Sequence, residues 1–143
     1  MKDTYITSKH REEPTWFVID ANNQTLGRLA TKVSLILQGK QNRTYCPATK
    51  FRNYVIVINA DKINLTGRKK TQKVYYSHTG KPGELRQQPF EILHQKFPNR
   101  IFELSIKRML PSGFIKRHIH RRLKVYAGNE HPHASQNPVS IDI

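Results

Sequence analysis

WFVIDANNQTLGRLATKVSLILQG (residues 16–39) and YVIVINA (residues 54–60) decide the fold of this chain. The first stretch opens with Trp16-Phe17-Val18-Ile19, an almost wholly apolar run that reads as a strand buried on both faces. Asp20-Ala21-Asn22-Asn23 then turns the chain. From Thr25 the period becomes helical: Leu26, Leu29, Ala30, Val33 and Leu37 follow i, i+3, i+4 spacing, with Arg28 and Lys32 on the opposite side. Gly39 stands where a helix can stop in a left-handed turn. Tyr54 to Ala60 is a second apolar strand. Two buried strands joined by a helix imply a right-handed crossover and a parallel pair.

Outward from this unit the signals shorten. Ile63 and Leu65 alternate with polar neighbours, which predicts a half-buried strand ending at Thr66-Gly67. Arg68-Lys69-Lys70-Thr71 reads as an exposed turn, and Lys73 to His78 as another extended piece. Gly80, Pro82 and Gly83 make a loop. Pro89 opens a helix to about Phe97. Asn99 caps the next helix, in which Phe102, Ile106 and Met109 share a face before Pro111 stops it. Ser112 caps a last helix over residues 114–124 with Ile115, Ile119 and Leu123 inward, and Val125 to Gly128 closes as a short strand. The expected fold class is therefore α/β. It is a single domain over residues 1–143 with a small, mostly parallel four-stranded sheet flanked by helices. Residues 1–13 form an N-terminal extension, and residues 129–143 an extended C-terminal tail docked on a partner.

A chain of 143 residues with 36% hydrophobic content supports one domain with its own core. A lone cysteine, Cys46, excludes an internal disulfide and suits a reducing compartment. The apolar runs are too short to span a bilayer, and Met1 to Glu13 is polar, so neither a membrane partner nor an export signal is expected.

Charge is the functional signal. Of 25 lysines and arginines, 19 lie in windows 21–60, 62–83 and 104–129, which contain no carboxylate, and the net charge is +15. Solvated faces usually mix both signs, so unopposed cations point to a polyanion such as RNA. The helix at 114–124 presents Lys116, Arg117, His120, Arg121 and Lys124 on one side, with Arg122 beside them and no glutamate at i±4. Arg68, Lys69, Lys70 and Lys73 form a second cluster beside Tyr75, Tyr76 and His78, which can stack on unpaired bases. Strand alternation puts one of the two tyrosines in the core. A third site is the start of the first helix, where Gly27 and Arg28 can meet phosphate. Close strand–helix packing explains Gly27 equally well. Lys32, Lys40, Lys81, Lys107 and Arg108 complete the expected RNA-binding set.

Catalytic readings are weaker. Asp20 and Asp61 both follow apolar strands and can hold Mg²⁺ at a sheet edge, the basis of a nuclease reading, but turn and capping duty explains each. His118, His120, His131 and His133 lack zinc-ligand spacing. Gly80-Lys81-Pro82-Gly83 matches a GXXG clamp only superficially, because no helix precedes it. No Walker or dinucleotide fingerprint is present, so no cofactor, metal, catalytic residue or small-molecule substrate is expected. A free regulatory binder of messenger RNA or DNA is the other competing reading.

Trp16 to Ala21, Leu26-Gly-Arg-Leu-Ala30, Asn59-Ala-Asp-Lys62, Thr66-Gly67, Lys73-Val-Tyr-Tyr76, His78-Thr-Gly80 and Met109-Leu-Pro111 occur in this order. With Leu123-Lys-Val-Tyr-Ala-Gly-Asn-Glu-His-Pro-His133 they resemble the family of large-subunit ribosomal protein thirteen, bacterial type. The likeness runs from about Pro14 to Asp142. It implies a small parallel sheet flanked by helices and a non-catalytic role. That role is binding large-subunit ribosomal RNA early in assembly, among neighbouring large-subunit proteins. The chain departs from the family pattern at Lys50-Phe-Arg-Asn53, Glu84, Arg108 and Lys116, and three of these four changes add or unmask positive charge. The His-Pro-His ending and the richness in Lys, Asn and Ile resemble plastid versions. The implied location is a ribosome of the bacterial cytoplasm or of a bacterially derived organelle.

Overall fold

The computed structural model describes residues 14–43, 45, 47 and 52–141. The expected N-terminal extension, Cys46 and Lys50 lie outside the described residues. The leading strand, helix and strand form as the sequence predicts: β1 (Trp16–Asp20), α1 (Leu26–Gln38) and β2 (Tyr54–Ile58). The strands β1 and β2 pair in parallel from Trp16 opposite Tyr54 to Asp20 opposite Ile58. Gly39 closes α1 at φ 73°, where its N–H reaches the carbonyl of Ile36. Glycine takes that left-handed turn without the strain a Cβ would add.

Beyond β2 come α2 (Lys69–Gln72), β3 (Val74–His78), β4 (Leu85–Pro89), α3 (Phe90–Lys96) and α4 (Pro98–Met109). They are followed by α5 (Phe114–His120), β5 (Leu123–Val125) and β6 (Val139–Ser140). The four-stranded sheet has the order β5-β2-β1-β6, and every pairing in it is parallel. The class is thus the expected α/β, a parallel sheet flanked by helices.

Period two divides the sheet's residues between its faces. Ile19, Val55, Val57, Leu123 and Val125 join the core with Leu29 and Val33 of α1 and Phe102 and Ile106 of α4. Trp16, Val18, Tyr54 and Ile56 belong to the opposite face. There Trp16 stacks on Tyr54 at 4.3 Å and meets His133 at 5.2 Å, and the Tyr126 hydroxyl lies 2.9 Å from His133 Nε2. The C-terminal segment therefore lines this second face. Burial on both faces, expected of β1, is only partial: Ile19 is buried, whereas Trp16 to Val18 are half-buried.

Several boundaries differ from expectation. Ile63 and Leu65 do not build a strand. Asn59 adopts φ 57° and a 3-10 turn follows at Ala60–Lys62, so only a single bridge forms, between Asn64 and Thr25. Arg68 to Thr71 is not a plain turn, because Lys69–Gln72 coils into α2. The stretch Leu85–Pro89 pairs antiparallel with β3 to make a separate hairpin. All five of its residues are exposed, so main-chain bonding holds it and no apolar alternation announced it. Pro98, not Asn99, begins α4. The last helix stops at His120, because Leu123–Val125 is drawn into the sheet beside β2. Gly113, not Ser112, precedes that helix, at φ 106°. Residues 130–141 fold back on the chain's own sheet, and β6 pairs with β1 as an edge strand. They do not leave as an extended tail.

Candidate nucleic-acid interface

The expected cations fall into separate regions of this frame. Tertiary structure unites two clusters that look independent along the chain. The start of α1, the helix α2, the strand β3 and the end of α4 surround a cleft of about 570 Å³. Leu26, Leu65 and Met109 give it an apolar wall, and Lys69, Lys73 and Arg108 give it charge, with no carboxylate among the lining residues. A smaller depression of about 310 Å³ extends it past Gly27 to Arg28, Thr31 and Thr66. Arg68 and Lys70 are exposed beside Lys69.

Four observations define the electrostatics of this cleft. Burial first, then the charges of Arg108 and Lys69, hold the Lys73 ammonium below its ordinary pKa of 10.5. Burial pushes the Tyr75 phenol above 10.0, against an opposing pull from Arg108. Lys73 Nζ and Arg108 Cζ lie 5.4 and 5.8 Å from the Tyr75 ring centroid, within cation–π range. At α1, Thr25 supplies no side-chain cap and the first turn holds no acidic residue. The helix N-terminus therefore faces a basic cleft without an intramolecular anion.

Gly27 is not explained by strand–helix packing. A Cβ built there meets nothing within 4 Å. Of the two adjacent tyrosines, Tyr75 is the buried one at 6% exposure and Tyr76 the open one at 58%. Base stacking, expected of Tyr75, is thus sterically available at Tyr76, and the alternation of β3 decides between them. His78 and Lys81 belong to the hairpin end, where His78 Nδ1 accepts the Gly80 N–H at 2.9 Å. The GXXG-like stretch is the tip of that hairpin, not a junction of two helices.

The continuous basic helix over 114–124 is divided. Arg117 and Arg121 are exposed, whereas Lys116, His120, Arg122 and Lys124 are half-buried. Lys124 lies on β5 opposite Ile56. The Arg122 guanidinium is held below its usual range by burial, with Tyr54 opposing and Arg52 reinforcing the shift. The two exposed arginines stand one helical turn apart, the Arg121 N–H donating to the Arg117 carbonyl at 3.3 Å just before β5. Lys32, Lys40 and Lys107 are exposed on or just after the neighbouring helices α1 and α4.

Asp20 performs turn duty. Its Oδ1 accepts the Asn22 N–H at 2.9 Å and the Asn59 side-chain N–H at 2.8 Å. The Asp61 carbonyl lies 3.0 Å from His94 Nε2. Among the described residues, no three His, Cys, Asp or Glu side chains are placed to hold a metal ion, and no helix is long and apolar enough to cross a membrane. Sequence reasoning missed Leu65 and Met109 as an apolar wall beside cations. Along the chain they are separated by α2, the β3–β4 hairpin, α3 and nearly all of α4, which a linear reading does not bring together.

Comparison with known proteins agrees in order and extent. The pattern of the family described as Ribosomal protein L13 matches residues 14–132. The chain is 46% identical over 143 residues to the large ribosomal subunit protein uL13 of Symbiobacterium thermophilum, covering 100% of both chains. It is 45% identical over 143 residues to the uL13 of Acaryochloris marina, covering 100% of this chain and 95% of that one. To the uL13 of a Marinomonas species it is 49% identical over 128 residues, or 90% of each chain.

Proposed function

As the chain belongs to the ribosomal protein L13 family, we propose that it is a structural, non-catalytic constituent of the large ribosomal subunit. It binds large-subunit ribosomal RNA and supports early assembly beside neighbouring large-subunit proteins. One observation carries this reading: identity of 46% runs end to end with a protein named for that subunit. The charge distribution supplies the physical means. A net charge of +15 with carboxylate-free windows costs self-repulsion in the free protein and is neutralised by phosphate in a particle.

Within this reading, the whole chain acts as one RNA-binding domain. The phosphate contacts come from Arg28, Lys32, Arg68, Lys69, Lys70, Lys73 and Arg108 around the cleft and along α1. Lys81 and His78 on the hairpin, Lys40, Lys107, and the set Lys116, Arg117, His120, Arg121, Arg122 and Lys124 add to them. Half-burial of Lys116, Arg122 and Lys124 fits contacts made by one exposed end of a long side chain. The particle is a bacterial-type ribosome, in a bacterial cytoplasm or a bacterially derived organelle. The His-Pro-His ending supports the plastid.

Filter binding to large-subunit ribosomal RNA tests the reading. If about six phosphates are neutralised, affinity falls on the order of 10³ between 50 and 200 mM salt. A shallow, salt-insensitive curve sinks it. In a sucrose gradient of native lysate, the chain should follow the large subunit through a salt wash. Residence at the top of the gradient favours the free regulator instead. RNA cleavage with Mg²⁺ that vanishes in Asp20→Asn with Asp61→Asn restores the nuclease.

A further inference from the structure

We infer that the cleft between the first turn of α1 and the surface formed by α2, β3 and α4 takes one nucleotide swung out of a single-stranded stretch of RNA. Its phosphate is held by Lys69, Lys73 and Arg108, and its base lies against Leu26, Leu65 and Met109. The inference rests on the RNA-binding reading above and adds a specific site to it.

The space is of the right kind. About 570 Å³ lies within the roughly 300–1,000 Å³ range of pockets that hold small organic groups, and the lining combines apolar with cationic side chains. A duplex phosphate backbone needs only the cationic side. Leu26 and Leu65 also serve the core, but with the exposed Met109 they offer the cleft a weakly polar surface that an unstacked base fits.

Two further observations point to a ligand with polar atoms. Tyr75 lines the cleft, is 6% exposed, and its hydroxyl has no hydrogen-bond partner among the described residues. A buried hydroxyl without a partner is destabilising, and a small movement of the Tyr75 side chain would let an acceptor from outside satisfy it. The second is the helix end. Thr25 leaves the first turn of the 13-residue helix α1 without a side-chain cap, and Gly27 leaves that turn uncovered. A phosphate oxygen at the cleft reaches main-chain N–H groups that a larger residue would screen. Burial lowers the Lys73 pKa most, and the further lowering by repulsion from Arg108 and Lys69 is relieved by an anion among them.

The test uses the full chain labelled at its methionine and leucine methyl groups, titrated with a single-stranded RNA hexanucleotide and, separately, with inorganic phosphate. The hexanucleotide should shift the Met109, Leu26 and Leu65 methyl signals, and inorganic phosphate at the same concentration should not. Lys73→Gln with Arg108→Gln should abolish those shifts and weaken hexanucleotide binding about tenfold or more. Arg117→Gln with Arg121→Gln should weaken overall RNA binding and leave the shifts intact.

Two variants separate site from fold. Gly27→Leu has open space for its side chain, so it keeps the folded spectrum but blocks the cleft. Tyr75→Phe removes an unpartnered buried hydroxyl, so its melting temperature rises while hexanucleotide affinity drops about three- to tenfold. Hexanucleotide binding with unmoved cleft methyls overturns the nucleotide site and leaves the RNA reading standing. Equal shifts with inorganic phosphate reduce the site to an anion contact and overturn the base pocket. No binding of any RNA overturns both.

Discussion

The side-chain amide of Asn53 donates to the main-chain oxygen of Ile36 at 2.8 Å, tying the last turn of α1 to the start of β2. The Asn53 oxygen in turn accepts the hydroxyl proton of Thr15 at 2.9 Å. One buried side chain thus joins three segments whose order along the chain gives no hint of the contact. Asn53→Ala should lose about 1–3 kcal/mol, because it leaves buried groups without partners. Urea unfolding checks this; a midpoint equal to that of the unaltered protein refutes the role.

Ile56 is fully buried on the sheet face away from α1, in register with Val18 and Lys124. Ile56→Asp should abolish cooperative unfolding, since an unpaired charge there has neither water nor a partner. Ile56→Val should cost only about 0.5–1.5 kcal/mol. Circular dichroism melts distinguish the two. A native melt for the aspartate variant rules out the buried register of β2.

Lys73 makes stability depend on alkaline pH. Its folded pKa is depressed below 10.5, so the unfolded chain holds the proton longer. Folding is disfavoured while both states are charged, and it gains as pH climbs from the folded value towards 10.5. Tyr75 opposes this, because its raised folded pKa lets the unfolded phenol ionise first above pH 10.0. In a Tyr75→Phe background, RNA-free protein with Lys73 should therefore stabilise relative to Lys73→Met as pH approaches 10.5. Urea midpoints that stay parallel from neutral pH to that limit contradict the shift.

Arg117 and Arg121 are both exposed, one on α5 and the other just after it. Arg117→Gln with Arg121→Gln should lower the slope of log affinity against log salt by about two, one for each phosphate left without its arginine. The circular dichroism spectrum should not change. An unaltered slope means that these arginines face solvent in the complex.

Legibility followed the strength of the local pattern. The segments β1, α1 and β2 were readable because buried apolar runs and a 3.6-residue period carry their own signal. β4 was not, because Leu85–Pro89 is exposed throughout and pairs through its main chain alone. The reading of Leu123 was half right. It does point inward, but as a strand residue beside Val55, since the open edge of β2 competes with the helix for residues 123–125. The basic residues were all identifiable by type, yet their grouping was not. Arg108 and Lys73 meet at Tyr75 only because α4 and the hairpin pack beside the same end of α1.

Periodicity, composition and ordered motifs are linear properties, so the α/β unit, the excess of positive charge and the family are legible in the chain itself. Packing in three dimensions selects which tyrosine is buried, which cations share a cleft, and how the C-terminal segment joins the sheet beside β1. Those outcomes depend on which unpaired strand edges and apolar faces find each other in space, and distance along the chain does not encode that choice.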